Sequence, residues 1–88
     1  MIENNFYMHN KSMDVCIKII SRSYRVTLNY KLIYIFEIEW WNLGYNGKPW
    51  KITEDTQVIE LKSLNNWINI SKYLNKKRTK PGIIYEDN

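Results

Sequence analysis

A chain of 88 residues has length for one hydrophobic core, so the expectation is a single domain over residues 1–88. With 44% hydrophobic, 15% aromatic and 25% charged residues, it is neither a disordered chain, a collagen-like repeat nor a disulfide scaffold, and its +4 formal charge favours negatively charged partners. Alanine is absent while Asn, Ile and Lys supply more than a third of the positions, a balance that disfavours helix and favours pleated strands.

Residues 1–12 read as a polar arm that can fray, with Phe6, Tyr7 and Met8 able to dock onto a sheet. From 13 to 20 the apolar side chains fall on odd positions: Met13, Val15, Ile17 and Ile19. From 24 to 40 they fall on even ones: Tyr24, Val26, Leu28, Tyr30, Leu32, Tyr34, Phe36, Ile38 and Trp40. A tight turn at Ser21-Arg22 reconciles the two parities. It pairs Ile19 with Tyr24 and Ile17 with Val26, and sets Lys18 opposite Arg25 on the other face. The second run is too long for one straight strand, at about 56 Å, so it bends or turns near residues 29–31. Its unbroken parity favours an odd-length loop or a bent single strand.

Asn46-Gly47 is the strongest turn signal and closes a hairpin, with a register-switching bulge at Trp40-Trp41 or Gly44. Residues 50–53 and 57–62 read as strands. Ser63 then caps a helix whose apolar face is Leu64, Trp67, Ile68, Ser71 and Leu74, ending in the basic run Lys72, Lys76 and Lys77. Pro81-Gly82 stops it, and 83–85 forms a short last strand. The fold class expected is therefore α+β: a strongly bent antiparallel sheet of about five strands, one C-terminal helix packed on it, and a short final strand.

Little chemistry is on offer. Cys16 is alone, so neither an internal disulfide nor a zinc spacing exists. His9, the one histidine, lies in the arm, away from any rigid nucleophile. Glu37, Glu39, Glu54 and Asp55 read as a solvated strand face more readily than as a cation or acid–base cluster. No catalytic residue, metal ligand or cofactor is assigned. With no signal peptide and no long apolar run, the expected location is cytoplasmic, with no membrane partner.

Two features favour binding. Lys18, Arg22 and Arg25 form one expected basic patch, and Lys76, Lys77, Arg78 and Lys80 another after the helix. Trp41, Tyr45, Lys48 and Trp50 surround the second hairpin tip, where rigid rings can anchor a protein, a base or a sugar. Tyr73-Leu74-Asn75-Lys76-Lys77-Arg78 resembles the end of small helix-turn-helix modules attached to some homing endonucleases. The likeness covers six residues, and residues 57–62 read as strand where the module needs its first helix, so no such module is assigned. The A/T-rich codons of Asn, Ile and Lys suggest an AT-rich genome such as a low-GC bacterium, its phage or an archaeal virus. The expected function is a small non-catalytic binding protein: a phage or mobile-element accessory or inhibitor of the anti-defence type, occupying a macromolecular surface. Its partner is then a host or phage protein or a protein–nucleic acid complex. The alternatives are a DNA- or RNA-binding module and a structural homo-oligomer, and homodimerisation through a strand edge is compatible with each.

Overall fold

The computed structural model of the protein describes residues 1–9 and 14–77, and among these every regular element except two short 3-10 turns is a strand. The strands are β1 (Phe6–His9), β2 (Val15–Val26), β3 (Leu32–Leu43), β4 (Pro49–Glu60) and β5 (Trp67–Asn69). They form one antiparallel sheet in the order β4-β3-β2-β1-β5.

The α+β class with a C-terminal helix is corrected by this arrangement. Where the helix was expected, the chain makes a 3-10 turn (Leu61–Leu64), strand β5 and a second 3-10 turn (Ser71–Tyr73). The reason is local and tertiary at once. Asn65, Asn66 and Asn69 with the β-branched Ile68 and Ile70 make a poor helix. An open edge on β1 offers ladder bonds instead, with Tyr7 opposite Asn69 and Met8 opposite Ile68. The Phe6 N–H donates to Ser71 Oγ (2.8 Å), the Ser71 N–H donates to Asn69 Oδ1 (3.0 Å), and Ile70 N–H donates to the Phe6 carbonyl (2.9 Å). The expected strand at 83–85 lies outside the described residues.

The first hairpin is corrected as well. There is no turn at Ser21-Arg22: β2 runs straight through it, with a register shift between Ile19 and Ser21. One extra residue, Ile20, moves the apolar set from odd to even positions, and such a bulge changes parity as effectively as a turn does. The turn comes at residues 27–31 instead. Thr27 N–H donates to the Lys31 carbonyl and Tyr30 N–H to the Thr27 carbonyl, leaving a loop of Leu28, Asn29 and Tyr30. Of the two solutions that the preserved parity favours, an odd-length loop and a bent single strand, the structure has the odd-length loop. The second hairpin repeats the pattern, with Gly44 N–H donating to the Lys48 carbonyl and Gly47 N–H to Gly44. A further register shift lies between Glu39 and Trp41, where residues 52–55 of β4 stand opposite Trp40 alone.

Both faces of the central strands are apolar, so the core is double. On one face Tyr7, Ile17, Ile19, Phe36, Ile38 and Leu64 are buried together, with Trp40 and Trp67 against them. On the other face Phe6, Met8, Cys16, Leu43 and Ile70 are buried, with Trp41, Tyr73 and Leu74 against them. The segment 61–77 covers both. It leaves β4 at one edge, crosses the first face with Leu64, pairs as β5 on the far edge, and returns over the second face with Ile70 and Leu74. A helix could have buried one face; an extended belt buries two.

Beyond these clusters the β2–β3 hairpin projects as a two-stranded arm. β1 pairs only with residues 16–18 of β2, and β4 pairs β3 only from Ile35 onward. Val26 and Leu28, which the alternation places on one face with Phe36, are exposed at 58% and 100%, whereas Phe36 at 4% is enclosed. The long run of alternating residues is thus half core and half solvent-facing arm.

Candidate functional site

The arm and the second hairpin loop lie at opposite ends of β3, a twelve-residue strand, and the molecule measures 48 Å along its longest axis. The residues expected to bind divide between these ends. Lys18, Arg22 and Arg25 do not form one patch, because the turn that would have gathered them is absent. Lys18 pairs across the ladder with Glu39, and its ammonium lies 5.8 Å from the centroids of both the Phe6 and Trp41 rings. Arg22 donates from Nη1 to the Met1 carbonyl at 3.3 Å. Arg25 donates from Nη2 to Glu60 Oε1 at 2.9 Å, and Lys62 sits 3.3 Å from the other oxygen of that carboxylate. These two cations, Lys62 before Arg25, hold the Glu60 carboxyl below its usual range.

Trp41 belongs to the second apolar cluster and not to the hairpin tip. Its ring meets Phe6 edge to face at 5.3 Å, and its Nε1–H donates to Glu39 Oε1 at 3.3 Å. Glu39 also takes the Lys51 ammonium at 2.6 Å, and that bond is the main cause lowering the Glu39 pKa. Lys51 also stands 3.9 Å from Glu54, so these two carboxylates share a lysine. Among the described residues no group of three or more His, Cys, Asp or Glu side chains could hold a metal ion. His9 packs edge-on against Trp67 at 5.3 Å, and Cys16 is fully buried.

Tyr45, Lys48 and Trp50 do share the far end, with Tyr45 and Trp50 exposed at 44% and 56%. Here the belt finishes. The Asn75 N–H donates to the Gly47 carbonyl at 2.8 Å, and the Lys76 backbone lies so close to Gly47 that no side chain fits between them. Gly47 takes φ +81°, the left-handed conformation that closes this loop and also leaves the space. The belt thereby brings Lys76 and Lys77 to the hairpin loop that carries Tyr45 and Lys48, while Trp50, across from Asn42, lies on the sheet face that Ile17 and Trp40 share. Neither residues 42–50 nor 61–77 contain a carboxylate. Asp14 lies beside this end, its carbonyl accepting the Leu43 N–H. Arg78 and Lys80 lie outside the described residues.

The residues that sequence reasoning missed are on the arm. Tyr24, Val26, Leu28, Tyr30, Leu32 and Tyr34 are all at least half exposed. The signal was present in the length of the run, which exceeds what so short a chain can cover. Two open grooves, of ≈ 370 Å³ and ≈ 960 Å³, border the base of the arm and share Met1, Tyr34 and Leu61. No helix among the described residues is long and apolar enough to cross a membrane. Compared with family models, with curated proteins and with solved structures, the chain matches none.

Proposed function

We propose that this is a small non-catalytic binding protein that occupies a negatively charged protein surface, as an accessory or inhibitor of a phage or mobile element would. The observation that carries the reading is the docking of Asn75 and Lys76 on Gly47, which merges the Tyr45–Trp50 loop with the basic end of the belt. Lys48 and Lys77 are exposed on segments that contribute no carboxylate, at the end of the molecule that also exposes Tyr45. Such a surface gains from an acidic partner, since opposite charge relieves its self-repulsion while the Tyr45 ring supplies apolar contact. The buried Cys16 and the packed His9 leave the two candidate nucleophile and base side chains engaged elsewhere, which supports the non-catalytic reading.

The test is affinity capture from host-cell extract with tagged wild type, Tyr45→Ala and Lys77→Glu, followed by direct titration of the captured protein. The expected result is one acidic partner, lost or weakened at least about tenfold by either change and weakened by salt. Equal binding by all three forms refutes the proposal. A nucleic-acid module is the competing reading. It gives oligonucleotide binding that falls steeply with salt and is abolished by Lys77→Glu.

A further inference from the structure

We infer that the arm is a dimerisation device whose occupant is the arm of a second copy of this chain. Tyr24 lies across the ladder from Tyr34 and Val26 from Leu32, so the four side chains share the face that continues from the buried Phe36. At the loop, Leu28 and Tyr30 are exposed at 100% and 91%. Weighted by exposure, these six side chains present roughly 700 Å² of largely apolar surface per copy. A soluble monomer rarely leaves more than a few hundred Å² in one patch. A standard interface takes about 800 Å² from each partner. The arm therefore has the area that a stable dimer needs, on a two-stranded element that is marginal in water unless covered.

The same face supplies both halves of a self-complementary fit. At its base lies the ≈ 370 Å³ groove lined by Met1, Tyr24, Tyr34, Phe36 and Leu61. At its tip stands Leu28. Two arms laid face to face and antiparallel about a twofold axis set each Leu28 toward the other copy's groove, the reciprocal contact that twofold symmetry requires. The groove rims carry Arg22, Lys31 and Lys62 against one carboxylate, Glu60. Like charge thus opposes an attraction that is otherwise apolar, and added salt strengthens this contact instead of weakening it.

The experiment is light scattering on size-separated protein, with sedimentation equilibrium from 1 µM to 200 µM (about the usual working range for homodimers), in low and moderate salt. The expected result for wild type is twice the chain mass at high concentration, with dimerisation favoured by salt. Leu28→Glu changes only a fully exposed loop side chain and leaves the fold intact, and it should weaken the dimer at least about tenfold. Leu32→Glu is the second variant, scored only where its circular dichroism matches wild type. A wild type that stays monomeric throughout overturns the inference, as does a folded Leu28→Glu that dimerises like wild type. A dimer that salt dissociates overturns it too. None of these outcomes bears on capture of an acidic protein by the opposite end, so the two readings fail separately.

Discussion

Replacing Gly47 by alanine tests whether the belt is seated on the second hairpin. A Cβ at this position overlaps the Lys76 nitrogen and carbonyl oxygen and comes within 2.7 Å of the Asn75 carbonyl carbon. All three are backbone atoms, so no side-chain rotation relieves the contact and the belt must move away. Three costs follow. Alanine at φ +81° loses about 1 kcal/mol relative to glycine. Releasing the Asn75 N–H from the Gly47 carbonyl removes a bond of about 1 kcal/mol. Loosening the adjacent Leu74 and Tyr73 over the second cluster costs on the order of 1 kcal/mol more. The total, about 2–3 kcal/mol, is a large part of the roughly 4–13 kcal/mol expected for a domain this size. Urea unfolding followed by tryptophan fluorescence should show the midpoint falling, and hydrogen exchange at Asn75 and Lys76 should accelerate. Gly44→Ala is the matched control. Its Cβ meets the movable Asn46 Oδ1 at 3.0 Å and the Lys48 carbonyl at 3.4 Å, and its φ is not positive, so the cost stays below about 1 kcal/mol. Equal effects of the two substitutions, within about 0.5 kcal/mol, would refute the seated belt.

Tyr30 occupies in the first loop the place Gly47 holds in the second, at φ 59° and 91% exposed, so Tyr30→Gly relieves left-handed strain while losing little packing. After the extra unfolded-state freedom of glycine is subtracted, thermal unfolding at a concentration where the chain is monomeric should show a gain of about 0.5 kcal/mol, and a loss there would contradict the loop geometry. Ser71→Ala leaves the buried Phe6 N–H without its 2.8 Å acceptor; chemical denaturation should register a loss of about 1–2 kcal/mol, with faster exchange at that amide. The Glu39–Lys51 pair sets a pH window. The Glu39 carboxyl lies below its ordinary 4.5, so its stabilisation is complete above that value and disappears as pH falls through the lowered pKa. Lys51 lies above its ordinary 10.5, so its part is complete below that value and is lost as pH rises past it. Lys51→Met should therefore be less stable than wild type near neutrality and converge with it in acid; a difference that persists when Glu39 is protonated in both would exclude the pair as its cause.

What the residue pattern discloses, and what it hides, follows from range. Alternation marks residues 15–19 and 32–40 as strand, unbroken parity leaves an odd loop or a bent strand, and Asn46-Gly47 closes the second hairpin where expected, because each of these signals is local. The parity change near residue 20 has two local solutions, a turn and a bulge. The choice between them depends on Glu39 and Glu37 lying across from Lys18 and Ser21, which residues 13–26 alone do not encode. The helix at 63–74 failed for a related reason. Leu64, Trp67 and Leu74 do lie at helical spacing, yet Leu64 serves one face of the sheet and Leu74 the other. Of the expected site, Tyr45, Lys48 and Trp50 are legible as a loop cluster, whereas the arrival of Lys76 and Lys77 at that loop depends on an extended belt where helical spacing predicts a helix. The arm was visible as an alternation too long for its core but was assigned inward, since periodicity reports a shared face and says nothing of what covers it.

The edge contact between β1 and β5 joins residues 7–9 to residues 67–69. The loop closed in doing so runs from residue 9 to residue 67, about two thirds of the chain. Such distant pairing slows the search for the native state, because the entropy of closing that loop is surrendered before the contacts that reward it form. A nascent copy still on the ribosome would hold its greasy strands only partly shielded until the final turn emerges, making synthesis the interval in which it is most prone to clump.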